Sequence, residues 1–173
     1  SESIRQYGMI QPITVRPLEG GYYQIIAGER RWRAARMAGL TEVPVRVLDA
    51  DDRRVSELAL VENLQREDLN PIEEARGLRA LMTDYGMTQE EAAQSVGKSR
   101  SAVANSLRLL NLCPYVSELL EQGLLSTGHA KCLLAIGDSA AQEAAANTIV
   151  AQGLSVRQTE RLCARLAKET AKN

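Results

Sequence analysis

The stretch "TQEEAAQSVGKSRSAVANSLRLL", residues 88–110, decides the fold of the larger part of the chain. Thr88 stands where an N-cap belongs, and Glu91 follows three residues later, which is the capping-box spacing. A first helix is predicted from this cap to about Val96. Gly97 can supply a left-handed turn residue, and Ser99 caps a second helix that runs to Leu110. Ala92, Ala93 and Val96 make a small apolar face, and Val103 and Leu107, four apart, make the matching one. Two helices joined by a short turn containing Gly form the helix-turn-helix signature.

The chemistry lies in what that unit leaves exposed. A helix-turn-helix places the start of its second helix in the major groove. Here that start presents Ser99, Arg100 and Ser101, with Asn105 one turn on. Arginine pairs with guanine edges, asparagine with adenine, and serine with phosphates or bases. Lys98 and Gln89 are placed for contacts to the DNA backbone. An ordinary pair of packed helices with polar outer faces fits the same pattern, so the stretch alone leaves both readings open.

Downstream, "YVSELLEQGLL", "TGHAKCLLAI", "AAQEAAANTIVAQG" and "SVRQTERLCARLAKE" read as further short helices, with Ser155 and Gln158 in capping-box spacing. Upstream, "NPIEEARGLRALMTDYG" has a clear helix start. Asn70 can cap, Pro71 suits the first helical position, Glu73 sits where a capping-box acid belongs, and Gly86 ends the helix. "DDRRVSELALVENLQRE" is helical, with Val55, Leu58, Ala59 and Val61 near helix spacing. Before Asp51 the pattern changes. "PITVRP" alternates like a strand, "GG" at 20–21 marks a turn, "YYQIIAG" is a second strand, "RRWRAARMAG" is a helix closed by Gly39, and "VPVRVLD" is a third strand. The expected class is α+β: a small N-terminal α+β domain over residues 1–68, then an all-helical domain over 69–173.

Composition narrows the function. A chain of 173 residues suffices for one or two small domains with cores. Hydrophobic content of 45% and charged content of 25% are ordinary for a globular protein. The net charge of −1 means that nucleic-acid binding must come from local patches. No apolar run reaches membrane-spanning length and no signal peptide is visible, so a cytoplasmic protein without membrane contact is expected. Cys113, Cys132 and Cys163 have no zinc-binding spacing and are expected as buried, reduced thiols. Nothing favours a catalytic pair with His129, the only histidine. The opening "SESIRQYG" reads as part of a helix and the end "RLAKETAKN" is polar, which suggests the middle portion of a longer protein.

Two clusters remain. "GERRWRAARMAG", residues 28–39, puts four arginines into twelve positions just after a strand. Gly28 stands where a strand gives way to a helix, and amide groups at a helix start attract anions. Arg30, Arg31 and Arg33 add charge-assisted donors in a first turn that normally favours acids. A bound phosphate would relieve that conflict; a basic surface is the other reading. In "ENLQREDLNPIEEA", residues 62–75, Glu62 and Asn63 offer oxygens suited to Mg2+, and Arg66 offers a phosphate donor. A solvated helix end would look the same.

Together the segments resemble the ParB family of chromosome and plasmid partition proteins. "GMIQPITVRP" is similar to the family's cytidine-contacting box, "GERRWRA" to its first phosphate box, "ENLQREDLNPIEEA" to its second, residues 88–110 to its DNA-reading motif, and "LLSTGHAK" to the Gly-His segment that follows. The resemblance implies a ParB/sulfiredoxin-like N-terminal domain that binds CTP with Mg2+, and a helical domain that binds a palindromic centromere site, parS. It implies a homodimer that CTP closes into a sliding clamp on DNA, with slow CTP hydrolysis resetting it. Gly8, Gln11 and Pro12 would face the cytidine. Gly28, Glu29, Arg30 and Arg31 would hold the phosphates, with Arg66 nearby. Glu62 and Asn63 would serve the metal and hydrolysis. His129 and Lys131 would join the DNA-binding set of Gln89, Lys98, Ser99, Arg100, Ser101 and Asn105. A ParA-type ATPase, through an upstream segment not in this sequence, and SMC condensin are the further implied partners, and the nucleoid the implied location. The Leu-Pro usual after the family's reading helix is altered, with Cys113 in "NLCPYV" and Pro114 one later.

Three other readings compete. One is a nucleoid-occlusion relative of ParB with the same boxes. Another is a helix-turn-helix repressor without nucleotide chemistry. The third is a sulfiredoxin-like or nuclease-like enzyme, against which stands the lack of any Cys before residue 113. If the clamp reading holds, Asn70-Pro71 suits a hinge, because a residue before proline disfavours helix.

Overall fold

The computed structural model describes residues 11–66 and 68–170, with side chains to residue 167. The chain divides into two compact units, Ser1–Gln65 and Arg66–Asn173.

The first unit is built on a three-stranded sheet of β1 (Ile13–Pro17), β2 (Tyr23–Ala27) and β3 (Val45–Val47), in the order β2-β1-β3. β1 pairs antiparallel with β2, with a register shift between Thr14 and Val15, and parallel with β3. β1 is thus the central strand, and its alternation buries Ile13 and Val15. The turn at residues 19–21 joins β1 to β2, as the two glycines predict. β2 returns the chain to the end at which β1 starts, and α1 (Glu29–Met37) carries it from one side of β1 to the other, where β3 runs parallel to β1. α2 (Asp52–Leu64) starts at Asp51, whose carboxylate accepts from the Arg54 amide at 2.8 Å, and packs against β2. Arg16 fastens this unit: its guanidinium reaches Gln24 at 2.7 Å, the Ala50 carbonyl at 3.3 Å and Asp52 at 2.5 Å. Of the apolar positions expected to face inward on α2, Ala59 is exposed, and the buried residue is Leu64 at the helix end.

The second unit is helical throughout its described residues. α3 (Pro71–Thr83) is followed by α4 (Gln89–Val96), α5 (Arg100–Arg108) with a 3-10 turn at Leu109–Asn111, α6 (Pro114–Glu121), α7 (Thr127–Leu133), α8 (Ser139–Gln152) and α9 (Val156–Thr170). Most of these helices begin at a side-chain cap. The Thr88–Glu91 box is complete, Ser99 accepts from the Ala102 amide, and Ser155 and Gln158 exchange bonds as their spacing predicts. α3 differs from expectation. Asn70 caps the Ile72 amide at 2.8 Å, one residue short of the Glu73 amide a capping box would use.

The core gathers Ile72, Leu109, Val116, Leu120, Leu133, Ile136 and Ile149, all nearly or fully buried. Gln142, buried among them, is fully used. Its oxygen accepts from the Cys113 amide at 2.7 Å, and its amide group donates to the Leu133 and Ile136 carbonyls at 3.1 Å each. The "NLCPYV" departure is thereby accommodated: Pro114 takes the first helical position of α6, and the free Cys113 amide just before it is satisfied by Gln142. Of the cysteines, Cys113 and Cys163 are buried and Cys132 is half-buried, a partial correction to the expectation. Burial pushes the Cys163 thiol up to about 11 and raises that of Cys132. Neither is poised as a thiolate nucleophile near neutral pH.

Candidate functional site

At the end of β2 the chain enters Gly28 with φ of 101°, a left-handed conformation that glycine adopts without strain. Gly28 is buried and its carbonyl accepts the first helical bond, from the Trp32 amide at 3.0 Å. Among the described residues no side chain caps this helix, and no partner claims its leading amides. A Cβ at Gly28 would meet the Arg31 guanidinium at 3.1 Å. That guanidinium folds back to donate to the Gln11 carbonyl at 3.1 Å and the Pro12 carbonyl at 2.8 Å. Arg31 therefore ties the first quoted box to the second, a contact between backbone and side chain that spacing does not reveal. Arg33 pairs with Glu29 at 3.1 Å, and Arg36 lies 5.1 Å over the Trp32 ring. Arg30 is exposed and has no partner among the described residues. Of the four arginines it is the least engaged, and it stands at the start of α1. Gln11 and Pro12 are exposed beside this helix start; Gly8 lies outside the described residues.

Glu62 and Asn63, on the last turn of α2, are exposed, and neither side chain is engaged among the described residues. A carboxylate and an amide oxygen are ligand types suited to a hard cation such as Mg2+, although among the described residues no group of three or more His, Cys, Asp or Glu gathers to hold one. Arg66 is otherwise placed than expected. Its guanidinium grips Asp68 at 3.1 and 2.9 Å, and this hydrogen bond raises its pKa.

In the helical unit the turn closes at Gly97 with φ of 70°. Val103 is fully buried against the first helix and against α3, while Ser99, Arg100, Ser101 and Asn105 are exposed. Lys98, Ser99, Ser101 and Asn105 line one concavity of about 560 Å³ with Thr127 and Lys131 of α7. Structure thus joins two segments that stand some twenty residues apart in sequence. Gly128 leaves room for α9, since a Cβ there would meet the Val156 side chain at 2.9 Å, and this close approach sets where Thr127 and Lys131 stand.

Three expected contacts find different surroundings. Lys98 is paired with Glu74 at 2.6 Å and is not a free cation. Gln89 lines a separate concavity with Arg79 and Arg108. His129 turns its ring back to cap α7, where Nδ1 accepts from the Ser126 amide at 3.2 Å and Nε2 is buried. Its role here is to start the helix that carries Lys131. Glu74, absent from the expected set, holds both Lys98 and the Ser106 hydroxyl, the latter at 2.9 Å. The break between the units also differs from the expected hinge. Asn70 is fastened within the helical unit, its amide donating to the Glu121 carbonyl at 3.2 Å while Arg76 pairs with Glu121 at 3.0 Å. The division falls earlier, between Gln65 and Arg66. Among the described residues no helix is long and apolar enough to cross a membrane.

Comparison with known proteins covers both units. The family described as the ParB N-terminal domain matches residues 1–64, and that described as the ParB HTH domain matches residues 67–168. The chromosome-partitioning protein Spo0J of Thermus thermophilus is 55% identical over 96% of this chain and 61% of its own length. A probable chromosome-partitioning protein ParB of Coxiella burnetii is 54% identical over 94% of this chain and 55% of its own. The chain thus spans a little over half the length of these relatives. The crystal structure of C-terminally truncated ParB from Caulobacter crescentus, complexed to the centromeric parS site, matches with a TM-score of 0.83 at 48% identity, covering 95% of this chain and 86% of that one. With a sheet-based unit and a helix-turn-helix unit each matched along its length, the chain belongs to the ParB family of chromosome-partitioning proteins.

Proposed function

We propose that this chain is the nucleotide-binding and centromere-reading part of a partition protein. It binds a parS-type site through α5 and CTP through the α+β unit, and slow CTP hydrolysis resets a clamp formed with a second copy. The observation that carries the DNA reading is the exposed start of α5, where Arg100, without a partner among the described residues, stands beside Ser99, Ser101 and Asn105. The likeness to a relative crystallised on parS supports it.

For the nucleotide, three features of one unit support the reading. The unclaimed amides after Gly28 favour an anion. Arg30, without a partner among the described residues, supplies a guanidinium for a phosphate. Arg31 fixes the Gln11–Pro12 backbone, next to which a cytosine would lie to have its amino and carbonyl groups read. Mg2+, held by Glu62 and Asn63, would neutralise phosphate charge. The chain's own part is to orient the triphosphate and to present Glu62 toward the attacking water. Glu62→Gln is expected to bind CTP yet hydrolyse it slowly, and Asn63→Ala to bind but close poorly.

Calorimetric titration with CTP, ATP, GTP and UTP tests the first half, and equal affinity for all four would defeat it. DNA titration tests the second. Arg100→Ala should cost about 1–3 kcal/mol at the specific site and relax base preference. Undiminished discrimination in that variant would move the reading surface elsewhere. Cross-linking between copies, through a Cys introduced near the start of the chain, should depend on CTP and parS together if the clamp reading holds.

A further inference from the structure

We propose that Glu74 governs how sharply this chain distinguishes its DNA site from other sequences, acting as a positioning residue that also cancels a charge. The inference rests on the DNA-reading function proposed above. Glu74 lies in the first turn of α3, and its side chain is 19% exposed. One carboxylate oxygen accepts from the Lys98 ammonium at 2.6 Å, and the other from the Ser106 hydroxyl at 2.9 Å. Lys98 is in the turn before α5 and Ser106 is near its far end. The two bonds therefore bracket residues 99–105, the segment that carries Ser99, Arg100, Ser101 and Asn105. A single side chain from another helix holds the reading segment at both ends.

The pairing has an electrostatic consequence. A lysine facing DNA attracts phosphate regardless of sequence, and such contacts provide the salt-sensitive, non-specific part of binding. Lys98 shares its concavity with Glu74 and Lys131, and Lys131 has no partner among the described residues. With Glu74 at hydrogen-bond distance, the Lys98 charge is largely spent within the protein. Sequence-blind attraction falls while base-edge contacts by Arg100 and Asn105 are untouched, so the ratio of specific to non-specific affinity rises. An acid at a surface that meets a polyanion lowers total affinity, and here it stands in a position where it improves selectivity.

The test compares the whole chain with Glu74→Gln, Glu74→Gln/Lys98→Met and Ser106→Ala on two duplexes of equal length. One carries the parS site bound by the Caulobacter relative and the other a scrambled sequence. Glu74→Gln keeps the shape and frees one positive charge. It should bind the scrambled duplex more tightly and lose affinity about threefold more steeply between 50 and 200 mM salt, as one added phosphate contact requires. Its preference for parS should drop by a similar factor. The double variant, with neither charge, should return to the parental salt dependence. Ser106→Ala should keep the parental salt dependence and still lose discrimination, through weaker binding to parS. Parental salt dependence and parental preference in Glu74→Gln overturn the proposal. If that variant does not fold, undiminished preference in Ser106→Ala, or altered salt dependence in the double variant, overturns it. A parent that binds both duplexes alike defeats the DNA-reading function itself, whereas a selective parent beside an equally selective Glu74→Gln defeats this inference alone.

Discussion

The two units of the chain solve the same problem with different resources. The helical unit buries Leu78, Leu81, Val103, Leu109, Val116, Leu133 and Ile149 almost completely and fastens its one deeply buried glutamine on three sides. The sheet unit has a small core of Ile13, Val15, Ile26, Ala35 and Leu64. Leu18, Tyr22, Tyr23, Met37, Leu40, Val45 and Val47 stand exposed there, against Tyr115, Leu124, Val150 and Val156 in the helical unit, although the helical unit is the longer. Its polar side is uneven too: Arg16 donates from all three guanidinium nitrogens and Arg31 from one, while Arg30, Glu62 and Asn63 have no side-chain partner among the described residues. The contrast teaches that the helical unit holds its shape with a large apolar core of its own and offers a partner only its polar surface, whereas the sheet unit leaves apolar surface as well as donors that something else can occupy.

The largest effect expected from this contrast is in the helical core. Leu78→Ala should cost about 3–4 kcal/mol through lost burial and a cavity. Met37→Ala, on an exposed position of the sheet unit, should change stability by less than about 0.5 kcal/mol. Urea unfolding of both variants would break the comparison if the two costs proved similar.

Next in size is the response to nucleotide. At a hundredfold excess over its dissociation constant, CTP should stabilise the state that binds it by about 2.7 kcal/mol. Hydrogen exchange should report this as slowed exchange in α1, α2 and the sheet, with little change in α4 to α8. Equal protection of both units, or protection of the helices alone, would contradict the assignment of the ligand to the sheet unit.

Arg31 and Arg30 sharpen the same point. Arg31→Ala removes charge-assisted bonds to two carbonyls and should cost about 2 kcal/mol of nucleotide affinity, while also lowering the melting temperature without nucleotide. Arg30→Ala should weaken nucleotide binding and leave that melting temperature unchanged. A calorimetric titration paired with a thermal melt separates the two, and a common pattern in both variants would show that one role had been split wrongly.

The smallest effect concerns the first helix of the helix-turn-helix. Thr88→Ala should cost about 1 kcal/mol through loss of the cap. The Thr88 amide and hydroxyl hold the Glu91 carboxyl below the ordinary value of 4.5. A carboxyl lowered by folding adds stability that is present above its unfolded pKa and lost as pH falls through the folded one. The stability of this helix should therefore decline in acid below about pH 4.5, and Glu91→Gln should flatten that decline in a series of melts.

Local signals accounted for much of this molecule. The cap at Thr88, the left-handed Gly97 and the cap at Ser99 depend on residues within a few positions of one another, so residues 88–110 carry them in plain view. The alternation of "PITVRP" likewise marked a strand, and the glycine between strand and arginines marked a helix start. What the sequence by itself determined, then, was the type and order of elements, the DNA-reading motif and the family, because each rests on short-range periodicity, capping or contiguous boxes. Only tertiary structure decided which charges are free. Glu74 meets Lys98 and Ser106 across 24 and 32 residues, Arg31 meets Pro12 across 19, and Gln142 meets Cys113 across 29. Nothing local distinguishes Arg30 from Arg31, or Glu73 from Glu74. A side chain's partner across such distances is set by how helices and strands pack, and packing turns one arginine into a brace and leaves its neighbour open to a ligand.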